Sequence, residues 1–204
     1  MIYPKLRELK EAIRSLFSRP YTSRFPFEPH VPFKRFRGKP EYSRGCIACM
    51  GCKEVCPARA IESADSTQQE KPSRKMVLHL DLCIFCGQCQ ALCTTREDDP
   101  PGIKLTGIFD LAGFDRKALV SSSEENELAL CSLCGDPVTT FAHLEWIAKR
   151  LGPLAFSNPT LFLSSLQSLG LSESVFQIAK DLTRSERIKI LCARCRRKTT
   201  LEQG

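Results

Sequence analysis

A run of four cysteines occurs twice in this sequence of 204 residues and constrains the fold more than any other feature. The second run repeats the spacing of the first 37 residues further along the chain, and an isoleucine follows the first cysteine of each run. Repetition at a fixed period indicates two copies of one structural unit. The eight cysteines are Cys46, Cys49, Cys52 and Cys56, followed by Cys83, Cys86, Cys89 and Cys93.

The spacing within each run predicts iron–sulfur chemistry. Two residues separate the first three cysteines from one another and three precede the fourth, which is the spacing that binds [4Fe-4S] clusters in bacterial ferredoxins. Thiols this close in sequence cannot all pair as disulfides without severe strain. The first run ends Cys56-Pro57, whereas the second ends Cys93-Thr94, so the rigid exit turn is missing from the second run.

We predict two [4Fe-4S] clusters with crossed ligand sets, because in two-cluster ferredoxins the fourth cysteine of each run binds the cluster of the other run. A purely structural role for the clusters is the weaker interpretation, since two clusters in so small a domain lie close enough for electron tunnelling. The first set is Cys46, Cys49, Cys52 and Cys93, and the second set is Cys83, Cys86, Cys89 and Cys56.

Two further cysteine pairs make a different pattern, that of two isolated knuckles with 57 residues between them. Four thiolates from two such knuckles form a tetrahedral sulfur site, which suits zinc or a single iron ion. We favour structural Zn²⁺ that holds the two ends of the intervening segment together, with mononuclear iron as the alternative and a redox disulfide behind both. The predicted metal ligands are Cys131, Cys134, Cys192 and Cys195.

The segment between these pairs is predicted to form three helices packed as a small bundle. Asp136 is expected to cap the first, with Pro137 in its first turn and Gly152 beyond its end. Asn158 and Pro159 are expected to open a second that ends at Gly170. A third is expected from Ser172 to Leu182.

An amphipathic helix is predicted from Pro4 to Phe17, because its apolar residues recur three and four positions apart. The prolines between Pro20 and Pro40 exclude helix and predict an extended arm with four exposed phenylalanines. The helix either packs on its own domain or docks on a membrane or a partner subunit. The apolar residues of the helix are Leu6, Leu9, Ile13, Leu16 and Phe17, and the phenylalanines are Phe25, Phe27, Phe33 and Phe36.

The fold class predicted is α+β. Short strands are expected at Ala60–Ser63 and Met76–Leu80, with Ala64–Arg74 as a surface loop. Three domains are expected: residues 1–44 as the helix and arm, 45–125 as a ferredoxin-like domain with two clusters, and 126–204 as a four-cysteine metal-binding domain with a helical insertion.

Several classes of function are excluded by missing features. The sequence has no apolar run of transmembrane length and no secretory signal, so the cysteines are expected in a reducing compartment. It has no phosphate loop, nucleophile elbow or paired acids in a recognisable context, so we expect no independent catalytic site. The three histidines, His30, His79 and His143, show no ligand spacing.

Nucleic-acid binding is the weaker interpretation of a basic run near the C-terminus. No aromatic residues alternate with these basic side chains to stack on bases, so a solvated face or a protein-docking patch is favoured. The formal charge of +7 counts every cysteine as neutral, and it falls to roughly +1 once thiolates and metals are included. The run consists of Arg194, Arg196, Arg197 and Lys198.

The sequence resembles the two-cluster ferredoxin subunit of respiratory complex I and of the related energy-converting group 4 [NiFe]-hydrogenases. The resemblance covers residues 1 to about 120 and rests on FRGKPE ahead of Cys46, on CIACMGCKEVCPARAIE and on LDLCIFCGQCQALC. Beyond it, ALCSLCGDP and LCARCRRK resemble the cysteine-bearing extension of the formate hydrogenlyase and hydrogenase-4 version. Ala48, Met50 and Thr94 depart from the pattern expected for this family.

The resemblance implies a subunit that relays electrons between an electron-input module and the small subunit of a membrane-associated hydrogenase or complex I-like assembly. The implied partners are hydrogenase-like small and large subunits, an electron-input iron–sulfur subunit and a membrane-arm subunit, with no nucleic acid and no small-molecule substrate of its own. The implied location is peripheral, at the cytoplasmic face of the cell membrane. The alternatives are a free-standing ferredoxin-type carrier with a zinc domain and a zinc-ribbon adaptor that binds nucleic acid.

Overall fold

The computed structural model describes residues 5–169 and 189–201. The chain separates into two units, with the division between Phe36 and Arg37. Helices and strands are mixed along the chain, which confirms the predicted α+β class. The third helix expected in the C-terminal segment, Ser172–Leu182, lies outside the described residues.

The N-terminal unit contains one helix, α1 (Leu6–Phe17), as its apolar periodicity predicts. The Glu8 carboxylate accepts a hydrogen bond from the backbone N–H of Lys5, 3.2 Å away, which pairs a donor at the helix N-terminus. No residue of α1 is buried, so its apolar stripe is exposed along its whole length. Residues 18–36 form neither helix nor strand, as their proline content predicts.

The expectation of four exposed phenylalanines in the arm is wrong at one position. Phe25, Phe27 and Phe33 are exposed, but Phe36 is half-buried. The rings of Phe33 and Phe36 meet edge to face with their centroids 5.9 Å apart. This geometry is favoured because the positive ring edge meets the negative ring face.

A five-stranded antiparallel sheet runs through the second unit. Its strands are β2 (Ile61–Ser66), β3 (Ser73–His79), β5 (Val120–Ser122), β6 (Asn126–Leu130) and β7 (Pro137–Thr140). The order is β2-β3-β6-β7, and β5 also pairs with β3. Alternate residues of β3 are buried, so one face of the central strand covers the core. The most deeply buried of these side chains are Met76 and Leu78.

The loop expected over Ala64–Arg74 is wrong, because both strands extend into it. Strand β2 continues to Ser66 and β3 begins at Ser73, which leaves a connection of residues 67–72. Asp65 and Arg74 are directly opposite in the register. Both oxygens of the Asp65 carboxylate accept hydrogen bonds from the Arg74 guanidinium at 2.7 Å, so a charged cross-strand pair extends a hairpin that apolar periodicity does not reveal.

Two short elements of the second unit repeat with the cysteines. Helices α2 (Gly51–Glu54) and α3 (Gln88–Ala91) stand 37 residues apart, and each begins within one of the cysteine runs. A separate two-stranded antiparallel sheet joins β1 (Pro40–Tyr42) to β4 (Ile103–Leu105). The 3-10 helix Arg116–Leu119 then leads into β5. These elements place the cysteine runs beside the core beneath β3.

The C-terminal part continues the same sheet and then becomes helical. Helix α4 (Phe141–Leu151) is followed by the 3-10 helix Gly152–Ser157, by α5 (Pro159–Ser168) and by α6 (Ala193–Leu201). The predicted start of α5 is confirmed, since the Asn158 side chain accepts hydrogen bonds from the backbone N–H groups of Thr160 and Leu161. The predicted end of α4 before Gly152 is also confirmed.

The prediction that Asp136 caps the first helix of this segment is wrong. Residues Pro137–Thr140 form β7, which pairs with β6, and the cap of α4 is Thr140. The Thr140 hydroxyl accepts a hydrogen bond from the backbone N–H of His143 at 3.3 Å. Three of the four residues of β7 are β-branched, which favours a strand over the first turn of a helix.

The Arg74–Asp65 pair predicts a defined stability loss. Arg74 is almost fully buried, so Asp65→Ala leaves its charge uncompensated and lowers the free energy of unfolding by about 3 kcal/mol. Hydrogen bonding to Arg74 lowers the pKa of Asp65 below its usual value. The stabilisation is therefore complete above the pKa of an unfolded aspartate and is lost as the pH falls through the folded one.

Thermal unfolding of the metal-loaded protein checks this prediction. The melting temperature of Asp65→Ala is expected below that of the parent at pH 7, and the gap is expected to close on acidification. Asp110→Ala, at an exposed position, is the matched control and is expected to melt with the parent. Equal melting temperatures for all three at pH 7 would contradict the assignment of Arg74 as a buried charge that needs Asp65.

Candidate functional site

Four thiols converge on one cavity beneath β3. The cavity and its opening to solvent together comprise about 300 Å³ free of protein atoms, and the walls include Tyr42, Met76 and Ile103. Met76 and Ile103 are among the most deeply buried side chains of the described chain, so water has little access from their side. The four thiols, which form the first cavity set, are Cys46, Cys49, Cys52 and Cys93.

The other four thiols of the two runs line a second cavity. This cavity and its opening to solvent together comprise about 370 Å³ free of protein atoms, and the walls include Leu78, Ile84 and Leu105. Ile84 is 63% exposed, so one wall of this cavity borders solvent. The thiols of the second cavity set are Cys56, Cys83, Cys86 and Cys89. Each cavity thus contains three cysteines of one run and the fourth cysteine of the other run.

The backbone around the two cavities repeats as the cysteines do. Ala48 and Phe85, which are 37 residues apart, have φ angles of 47° and 52°. Met50 and Gly87, at the same displacement, have φ angles of 67° and 79° and stand immediately before α2 and α3. The left-handed conformation costs residues with a Cβ about 1 kcal/mol each. Ala48, Met50 and Phe85 all adopt this conformation despite its cost. Strained backbone of this kind is typical of ligand-binding sites, so we attribute the loop shape to the group that the cysteines bind.

Buried thiols dominate the electrostatics of both cavities. Burial raises the pKa of Cys52 to about 12 and that of Cys89 to about 11. Burial also raises the pKa of Cys46 and of Cys83. Thiols in such surroundings become thiolates when a cation compensates the charge, which is what an iron–sulfur core provides. Four soft sulfur donors around a small, mostly apolar cavity therefore fit a [4Fe-4S] cluster.

Backbone N–H groups donate to sulfur atoms of the second cavity set. The N–H of Ala60 lies 3.3 Å from Cys56 Sγ, and the N–H of Phe85 lies 3.4 Å from Cys83 Sγ. Such donors stabilise negative charge on a ligand sulfur. The loop conformation that turns these N–H groups inward is part of the site.

Contacts from the C-terminal part reach the first run of cysteines, and sequence reasoning does not reveal them. The Asn126 amide donates to the carbonyl of Cys46 at 3.2 Å, and the Thr140 hydroxyl donates to the carbonyl of Ile47 at 2.5 Å. The partners in these two contacts are 80 and 93 positions apart in the sequence, so no local sequence pattern predicts them. The first cavity is therefore held in shape by β6 and β7 as well as by its own loop.

The four remaining cysteines form a separate cluster. The sulfur atoms of Cys131, Cys134, Cys192 and Cys195 all lie within 4.8 Å of one another, and Cys134 and Cys192 are 3.7 Å apart. Zinc bound to four sulfurs at about 2.3 Å places them about 3.8 Å apart, so the group fits a tetrahedral ion. None of the twelve cysteines is in a disulfide.

The two halves of this cluster have different backbone structures, a tight turn in the first and a helix start in the second. The backbone N–H of Gly135, whose φ is 73°, donates to the carbonyl of Cys131 at 2.9 Å, and the second half begins where α6 begins. Burial opposes ionisation of Cys131, but hydrogen bonds from the backbone around Cys134, Cys192 and Leu133 outweigh it and lower the pKa of Cys131. Hydrogen bonds with neighbouring side chains raise the pKa of Cys134 and of Cys195, so Cys131 is the thiol that ionises first.

The two crossed cavities define a class of protein, the dicluster iron–sulfur proteins. Residues 45–96, which contain all eight cysteines of the two runs, match the family described as a 4Fe-4S dicluster domain.

Curated proteins of one family are similar to the chain. It is 32% identical over 131 residues to NADH-quinone oxidoreductase subunit I 2 of Geobacter metallireducens, a match that takes in 61% of this chain and 96% of that protein. Subunit I 1 of Geobacter sulfurreducens is 31% identical with the same coverage. NAD(P)H-quinone oxidoreductase subunit I of Gloeobacter violaceus is 30% identical over 105 residues, which are 50% of this chain and 48% of that protein. The chain belongs to the NADH-quinone oxidoreductase subunit I family and is an iron–sulfur electron-transfer protein.

A solved structure is also similar in part. A chain of the membrane-bound sulfane sulfur reductase, an archaeal respiratory membrane complex, is 24% identical with a TM-score of 0.39, over 58% of this chain and 61% of that chain.

The basic run and His143, two other features singled out in the sequence, make structural contacts in the described chain. In the basic run, the Arg196 guanidinium donates to the Thr160 hydroxyl at 2.8 Å and to the carbonyl of Lys189 at 3.0 Å, so it takes part in packing. His143 lies 2.8 Å from the Thr139 hydroxyl, and burial lowers its pKa. No helix within residues 5–169 and 189–201 has both the length and the apolar character to cross a bilayer.

The crossed cavities predict which substitutions have the same effect. Cys93→Ser is expected to remove the paramagnetic signal that Cys49→Ser removes, and Cys56→Ser the signal that Cys86→Ser removes, because each pair lines one cavity. Electron paramagnetic resonance of the four reduced variants measures this. If Cys93→Ser and Cys86→Ser gave the same spectrum, each run would hold its own cluster and the crossed pairing would be wrong.

Proposed function

We propose that this chain is an electron-relay subunit that carries two [4Fe-4S] clusters, one on each cavity set, within a membrane-associated [NiFe]-hydrogenase or complex I-like assembly. It passes electrons between an electron-input iron–sulfur subunit and the small subunit of the hydrogenase-like pair. The observation that carries the proposal is the pair of crossed cysteine cavities on one core.

The shared core supports transfer between the two clusters. Cys52 of the first set is part of the same buried group as Leu78, and Cys56, Cys83 and Cys89 pack against that group. Both cavities therefore border one small apolar region. The chain's own residues position the clusters, exclude water and donate hydrogen bonds, while the clusters supply the redox chemistry.

The subunit role is supported by the N-terminal unit. An exposed apolar stripe along α1 and exposed phenylalanines in the arm are an aggregation liability unless another surface covers them. Relatives of this chain are named as subunits of quinone oxidoreductases. We propose that α1 and the arm anchor this chain to its complex, peripherally and at the cytoplasmic face of the membrane, with a membrane-arm subunit and the hydrogenase-like large subunit nearby.

We propose three domains that differ in function. The first, residues 1–44, anchors the chain to its complex; the second, residues 45–125, holds the two clusters; and the third, residues 126–204, holds a structural ion. About two-fifths of the chain lies outside the match to the Geobacter metallireducens subunit. The cysteine-bearing C-terminal part is the sequence feature that favours a hydrogenase-type complex over complex I.

We propose that the Cys131, Cys134, Cys192 and Cys195 group holds Zn²⁺ and that the ion is structural. Cys131 and Cys195 are buried with Leu191 in a core of their own, so the ion ties β6 to α6 across a long connection. The two halves also meet through the backbone, since the N–H of Ser132 donates to the carbonyl of Ile190 at 2.9 Å.

Metal analysis of anaerobically purified protein tests the assignment of all three sites. Eight iron atoms, eight acid-labile sulfides and one zinc per chain are expected from two clusters and one four-sulfur site. Cys134→Ser is expected to lose zinc and keep the eight irons. Nine irons with no zinc would assign the four-sulfur site to mononuclear iron, and four irons would exclude the second cluster.

Removal of the N-terminal unit tests the proposed anchor. Deletion of residues 2–36 is expected to leave both clusters intact, because all ligands lie at or beyond Cys46, but to release the chain from membranes and from the hydrogenase-like subunits. The cut must precede Gly38, since the N–H groups of Gly38 and Lys39 donate to the carbonyls of Thr106 and Ile108. Pull-down of tagged chains from membranes measures this.

Substitutions within α1 provide the control for that deletion. Leu9→Gln with Ile13→Gln changes the apolar stripe, while Lys10→Gln with Arg14→Gln changes residues outside it. The first pair is expected to weaken copurification and the second to leave it near the parent level. A deleted chain that still copurifies, or one that loses its clusters, would show that the anchor lies elsewhere.

A further inference from the structure

The two cavities differ in their hydroxyl groups. The first is lined by Tyr42, Thr94 and Thr95, whereas no serine, threonine or tyrosine of the described residues lines the second. The polar donors to sulfur in the second cavity are backbone N–H groups, which any sequence can supply. The first cavity therefore has side-chain donors that mutagenesis can remove one at a time.

Thr94 makes the closest of these contacts. Its hydroxyl lies 3.1 Å from Cys49 Sγ, and no other hydrogen-bond partner of that hydroxyl is found among the described residues. A cysteine that binds iron is a thiolate with no proton to give, so the Thr94 hydroxyl must be the donor. The corresponding residue after the first run is Pro57, which lines the second cavity and has no donor.

Tyr42 makes a second, longer contact, with its hydroxyl 3.8 Å from Cys52 Sγ. A phenol carries its proton at neutral pH, so Tyr42 is a donor to the thiolate. Two other hydroxyls lie near this cavity and have backbone acceptors. Thr95 is 3.5 Å from Cys93 Sγ but donates to the nearer carbonyl of Gly45 at 3.1 Å, and Ser123 donates to the carbonyl of Glu124 at 2.9 Å.

Hydrogen bonds to ligand sulfurs act on reduction potential. Reduction adds negative charge to the cluster and its thiolates, and a donor that points at a thiolate stabilises that charge. We propose that Thr94, assisted by Tyr42, is a positioning residue that raises the reduction potential of the cluster held by the first cavity set. This inference rests on the proposed placement of the clusters.

One charged group acts on the other cavity. The Arg37 guanidinium donates to the carbonyl of Cys86 at 2.8 Å, and a positive charge there also favours the reduced state. Arg37 is exposed, so solvent and salt screen much of its effect. Thr94 contacts a cysteine of the first set, whereas Arg37 acts on the second cavity. A change at Thr94 is therefore expected to move the potential of the first-set cluster only.

A redox titration followed by electron paramagnetic resonance, which resolves the two clusters, tests the proposal. Thr94→Val removes the hydroxyl with little change in shape, and the potential of the first-set cluster is expected to become more negative while the other stays constant. Thr94→Ser keeps a hydroxyl and is expected to restore the parent potential. Thr67→Val, in an exposed loop, is the matched control and is expected to shift neither potential.

Three results separate this inference from the proposed function. Thr94→Val with eight irons, both signals and unchanged potentials would overturn the role of Thr94, as would an equal shift of both clusters, and the relay function would stand. A parent protein without two clusters would overturn the proposed function itself. If Thr94→Val loses iron, Tyr42→Phe decides the question: a smaller negative shift of the same cluster supports the proposal, and no shift overturns it.

Discussion

The attraction between thiolates and iron is the interaction on which the rest of this structure depends. Eight thiols face two small cavities, and several of them sit where burial strongly favours the neutral form. Loop residues with a Cβ adopt left-handed backbone conformations beside them. Both costs are reasonable only if a cationic core occupies each cavity, so the cluster-binding fold and its cofactors are one energetic unit.

The repeat explains which parts of the site are predictable from sequence. Cysteine spacing alone predicts the crossed sets, and the structure brings the same four thiols together in each cavity, because a period of 37 residues fixes the shape of both loops. The hairpin at Asp65 and Arg74 is not predictable in this way, since its stabilising pair is ionic and joins two strands. The strand at Pro137–Thr140 is not predictable locally, because Asp136-Pro137 has the sequence pattern of a helix N-terminus. Its strand conformation depends on pairing with β6, which the local sequence does not indicate.

The C-terminal part is structurally continuous with the cluster domain. Strand β6 pairs with both β3 and β7, so the sheet that covers the clusters continues into the region of the four-cysteine group. Asn126 and Thr140 contact the backbone of the first cysteine run, and Trp146 donates to the Asp98 carboxylate at 2.7 Å just beyond the second run. The structural ion that we propose between β6 and α6 would therefore also steady strands that support the first cavity.

The central claim is that each cavity holds one cluster and that each cluster takes its fourth ligand from the other run. Anomalous diffraction at the iron edge, from crystals of anaerobically purified protein, tests it most directly. We predict two tetranuclear peaks, one bound by Cys46, Cys49, Cys52 and Cys93 and the other by Cys56, Cys83, Cys86 and Cys89. A single peak, or two peaks each bound by the four cysteines of one run, would contradict it.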